Sequence, residues 1–96
     1  MIVLITDVST NESSAPITVP TQIRRAAPQR VVQIAITGTI TVAIEGRMTP
    51  SAPWFQMHSA STSGATLIAL TPEMRVTTTG AAGGAAASVW LDAEQA

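Results

Sequence analysis

Between Val31 and Glu45 the chain alternates without a slip. Val32, Ile34 and Ile36 take one parity against Gln33, Ala35 and Thr37, then Ile40, Val42 and Ile44 against Thr39, Thr41 and Ala43. A period of two over this length means β-strands with one face in a core, because successive strand side chains point to opposite sides. The six β-branched residues of the first parity are therefore the expected core. Gly38 divides the run while parity survives across it. Residues 37–39 are thus either a three-residue hairpin loop or a kink in one long strand.

The flanking segments read the same way. Ile2 to Thr6 is a short β-branched strand that ends at Asp7-Val8-Ser9. Residues 8–30 have no sustained period: Ser9 to Ser14 is polar, and Pro16, Pro20 and Pro28 recur through the remainder. Proline lacks a donor and biases its predecessor towards extended backbone, so this stretch reads as an extended arm, with a short strand at Ile17-Thr18-Val19. Further strands are expected at 54–58, 66–70, 74–79 and 86–91, separated by turns rich in Gly, Pro and Ser. Gly80 to Gly84 reads as a flexible hairpin tip. The expected organisation is one domain: strand and arm over 1–30, and a β-sandwich core over 31–96. The fold class is all-β, an antiparallel β-sandwich or jelly-roll-like domain with an extended N-terminal arm.

A chain of 96 residues buries a modest core, and small domains often supplement it with disulfides, a metal or association. Cysteine is absent and histidine occurs once, which leaves association as the expected device. Charged residues are 11%, against about 25% in ordinary soluble domains, so little holds neighbours apart. A homo-oligomer is expected. The net charge of −1 gives no footprint for nucleic acid, and the five arginines form no long run, Arg24-Arg25 with Arg30 being the only basic cluster. The apolar start at Met1 to Ile5 is too short for a signal peptide, and no run is long enough to span a bilayer, so neither membrane nor export is expected.

Candidate chemistry is sparse. His58 with Ser59 and Ser61 lacks an orienting acid and the frame of a nucleophile elbow. Glu45 and Glu73 read as lone, solvated acids at strand ends, and Asp7 and Asp92 lack calcium-loop spacing. The glycine-rich loop has no lysine and no following helix to cradle phosphate. No catalytic residue, cofactor or metal is expected. Interface candidates are Ile17, Val19 and Ile23 as apolar anchors on the arm, Arg24 and Arg25 as donors, and Trp54 as either core plug or anchor.

The layout from Val31 to Leu91 resembles the small β-sandwich proteins of tailed-bacteriophage particles, including capsid decoration (cement) proteins. The resemblance rests on a threonine-rich strand ending in Glu45-Gly46-Arg47, Trp54 in the next strand, Leu70-Thr71-Pro72, then Met74-Arg75-Val76 and a glycine loop before the last strand. Met74 stands where such chains often carry a bulky aromatic. The resemblance implies a non-enzymatic virion protein assembled in the host cytoplasm, with the major capsid or other virion proteins as partners. A neck, tail or baseplate component is the alternative within that class. A carbohydrate-binding or adhesive module is the alternative outside it, although two Trp and one Phe are few for a sugar platform.

Overall fold

The computed structural model describes residues 2–26 and 28–92; Met1, Ala27 and the last four residues of the expected core segment lie outside them. Two four-stranded antiparallel sheets pack face to face. Sheet I orders its strands β1-β8-β3-β6, from β1 (Ile2–Val8), β8 (Ala86–Leu91), β3 (Gln29–Thr37) and β6 (Gly64–Ala69). Sheet II orders β2-β7-β4-β5, from β2 (Ile17–Thr18), β7 (Glu73–Thr79), β4 (Thr41–Arg47) and β5 (Phe55–Ala60). The all-β sandwich that alternation implies is the fold observed.

Parity places the core. Val32, Ile34, Val89 and Leu91 of sheet I meet Val42, Ile44, Met74 and Val76 of sheet II, all buried, and Ile40 closes the end. Ile36 is the exception among the six expected core residues: it is half-buried at the sandwich rim and packs against the cluster from its edge.

Gly38 is neither a hairpin tip nor a kink. β3 pairs with β8 and β6, while β4 pairs with β7 and β5, so the chain crosses from one sheet to the other at residues 38–40. Both strands keep their apolar parity towards the same core because they approach it from opposite sides. Gly38 has φ +74°, and a Cβ there would lie 3.1 Å from Ala85 Cα. The loop 80–85 makes the matching crossing from β7 to β8, so it is not a hairpin tip. It is held by Ala82 N–H donating to the Thr39 carbonyl and Ala81 N–H donating to Asn11 Oδ1.

The expectation that the arm reserves its apolar residues for a neighbour is corrected here. The arm is extended, but it runs along β7 as an edge of its own sheet. Ser14 N–H donates to Val76 O, Thr78 N–H to Glu12 O and Val19 N–H to Pro72 O, each at 2.8 Å. The Thr78 hydroxyl, at an inward position, accepts from Glu12 N–H and donates to Thr10 O, which satisfies a buried polar group with arm backbone. A short helix α1 (Thr21–Ala26), unforeseen from the sequence, follows Pro20, whose carbonyl accepts from Ile23 and Arg24. Six residues do not sustain a helix alone. Burial of Ile23 anchors it, and Arg24 and Arg25 in its last turn suit the negative end of its dipole.

Candidate functional site

The two outer faces of the sandwich differ in kind. On sheet II, Glu45 lies directly opposite Arg75 and Arg47 opposite Glu73, so the signs alternate both along and across the strands. Each pair closes at 2.8 Å with the side chains about one-fifth exposed. The Trp54 ring lies against both arginines, with guanidinium carbons 4.2 and 4.5 Å from its centroid. Guanidinium groups favour the electron-rich face of indole. Glu45 also accepts from the Thr77 hydroxyl at 2.7 Å. Glu45 and Glu73 are therefore not the lone, solvated acids expected. Each is paired with a cross-strand arginine, 30 residues away in sequence for Glu45 and 26 for Glu73.

Burial alone would raise the Glu45 pKa, but the hydrogen bonds from Thr77 and Arg75 and the Arg75 charge outweigh it, and the net shift is below the ordinary 4.5. A carboxylate with a depressed folded-state pKa adds stability above its unfolded pKa and loses it as pH falls through the folded one. Acidification below the ordinary carboxylate range should therefore weaken the wild type more than Glu45→Gln. Urea unfolding of both at neutral pH and in acid checks this. An equal loss in the two would show that Glu45 is not a source of acid sensitivity.

The outer face of sheet I carries large apolar side chains instead. Val3 pairs with Trp90, Trp90 neighbours Gln33, and Val31 pairs with Leu67. Val3 is 48%, Val31 41% and Leu67 62% exposed. Trp90, half-buried, lines a shallow depression with Val31, Gln33 and Asp92. None of these four apolar residues stands out by type. Their signal is a doublet: Ile2-Val3, Val31-Val32, Leu67-Ile68 and Val89-Trp90 each put one apolar side chain inward and therefore its neighbour outward.

The interface candidates divide. Val19 is 1% and Ile23 7% exposed, so both belong to the domain's own core and present nothing to a partner. Ile17 is half-buried against that core. Arg24 turns back onto Val19 O and the Thr21 hydroxyl, whereas Arg25 is exposed. Trp54 is neither core plug nor bare anchor, since it covers the arginine pair. His58 lines an open cleft between β5 and β6 with Ile34, Ala60 and residues 62–66, and neither Ser59 nor Ser61 is part of that lining. Among the described residues no three of His, Cys, Asp and Glu converge, and no helix is long and apolar enough to cross a membrane. Comparison with protein-family models, with curated proteins and with solved structures finds no match to the chain.

Proposed function

We propose that the protein is a non-enzymatic structural protein of a tailed-phage particle, of the capsid decoration or cement kind, which docks on the assembled shell through the outer face of sheet I. The observation that carries this reading is the contrast between the two faces. The ionic groups of sheet II satisfy one another, while sheet I leaves Val3, Val31 and Leu67 exposed, with the half-buried Trp90 among them, in a domain with few charges to repel a neighbour. An apolar face with a tryptophan at its middle suits an uncharged protein surface. A repeating lattice then turns one modest contact per copy into firm attachment. The resemblance of the strand layout to phage-particle sandwiches supplies the setting.

Electron microscopy of purified particles, with this chain immunolabelled, tests the reading. Label spread over the heads is the expected result, and Trp90→Gln protein added to particles lacking the wild type should fail to bind while keeping its thermal transition. Label confined to the tail or to one vertex would replace the decoration role with a neck, tail or baseplate role. Unlabelled particles would overturn the virion assignment.

A further inference from the structure

Four strands end the two sheets, and three of them carry devices that discourage another chain from pairing. β1 slips register twice, between Val3 and Ile5 and again before Val8. β2 is two residues long, between Pro16 and Pro20. β5 is bulged at Met57, since His58 faces Ile44 and Gln56 faces Glu45. β6 has none of these. Gly64-Ala65-Thr66-Leu67-Ile68-Ala69 contains no charge and no proline, and it pairs with β3 in unbroken register from Ala69 opposite Gln29 to Gly64 opposite Ile34. Natural edges of this sort are usually blunted.

Backbone geometry tells which groups of β6 are unused by its sheet. Leu70 N–H donates to Pro28 O, in the same register, so Leu70, Ile68, Thr66 and Gly64 turn their polar groups towards β3. Asp92 N–H donates to Val31 O, so Val31 turns its groups to β8, which makes Val31–Leu67 a non-hydrogen-bonded pair. Both bonds lead to one result. The N–H and C=O groups of Ala65, Leu67 and Ala69 face the open edge.

We infer that β6 is a self-pairing edge that takes β6 of a second copy of this chain, antiparallel about a two-fold axis at Leu67. The register follows from matching the outward groups. With Leu67 opposite Leu67 of the second copy, Ala65 faces Ala69 and Ala69 faces Ala65, and three exchanging pairs give six hydrogen bonds. Centring one residue either way leaves only two exchanging pairs, and a half-step shift would put inward side chains opposite outward ones. The same register brings together the two most exposed leucine side chains, with Val31 of each copy beside them, on one continuous outer face. A charged peptide would gain no ionic partner on this strand, whereas a second uncharged β6 meets no repulsion. Two copies would join their sheets I into one eight-stranded sheet. The inference goes beyond the particle assignment and does not depend on it.

The contact is narrow, about one six-residue strand of roughly 20 Å, so self-association belongs at the weak end of protein interfaces. Sedimentation of the isolated chain from about 10 μM to about 1 mM should show the mass rising towards that of a dimer. Amide hydrogen exchange should reveal alternation: Thr66 and Ile68 protected at every concentration, Ala65, Leu67 and Ala69 protected only where the dimer forms. Leu67→Lys should remain monomeric with its thermal transition intact, and Ala69→Lys makes the same test should Leu67→Lys unfold. A monomer throughout, or a dimer whose new protection lies outside β6, would overturn the inference. Because no particle enters these measurements, their failure leaves the shell-binding proposal standing, and the reverse holds too.

Discussion

Replacing residues 9–26 with a Gly/Ser linker should abolish cooperative unfolding, and Val19→Asp alone should cost more than about 4 kcal/mol, the range of unpaired buried charges. From the sequence, the arm looks dispensable to the fold: polar, proline-broken and suited to ordering on a partner. Its placement reverses that expectation. Without the arm, Pro72 and the β7 residues Val76 and Thr78 lose their backbone partners, and Met74 loses Ile17, its neighbour across the sheet edge. Val19 and Ile23 take two aliphatic side chains out of the core when removed. The Thr78 hydroxyl would be stripped of its partners as well. Far-UV circular dichroism with thermal melting decides the matter. A linker variant that still melts as a sharp transition, within a few degrees of wild type, would show that the arm only tethers β1 to β3.

The second large effect is expected at the centre of the sandwich. Ile44 is fully buried between the sheets and Ile34 nearly so, and truncating either to Ala should cost roughly 2–5 kcal/mol, transfer and cavity terms together. Total stability of a small domain is about 5–15 kcal/mol, so either change removes a large share of it. Ile36→Ala should cost visibly less, because Ile36 sits half-buried at the rim. Urea unfolding of the three variants gives the ranking directly. Equal losses at Ile36 and Ile44, or values near zero at Ile34 and Ile44, would mean that the inward face is misassigned.

The contrast between Ile36 and Ile44 shows what local pattern conveys. Parity assigns a side chain to a face, and it does so correctly at Val32, Ile34, Ile40, Val42 and Ile44. Depth beneath that face depends on where the strand ends relative to the opposite sheet, which parity does not contain. Trp54 makes the same point for the ionic face. Arg47, on which it rests, lies only seven residues earlier in the chain, but Arg75 and Glu73 arrive only through the pairing of β4 with β7.

Strand content, the inward face of each long strand, the break at Gly38 and the absence of disulfides follow from the order of residues, because alternation, φ preference and cysteine chemistry act within a few bonds. The amino-acid order also contains the apolar doublets that turn Val3, Val31, Leu67 and Trp90 outward; alternation through Ile34 and Ile36 names the inward member of Val31-Val32, whereas no such long alternation decides the other three. Tertiary structure alone decided that Gly38 changes sheets, that the arm completes sheet II, and that Glu45 and Glu73 are held by arginines. It also decided that β6, and not β1, β2 or β5, ends a sheet without protection. Each of these depends on which strand lies beside which. Pairing here joins segments tens of residues apart, such as β1 with β8 and β4 with β7. Backbone hydrogen bonds are chemically alike at every residue, so the choice of neighbour comes from burying all the apolar faces at once.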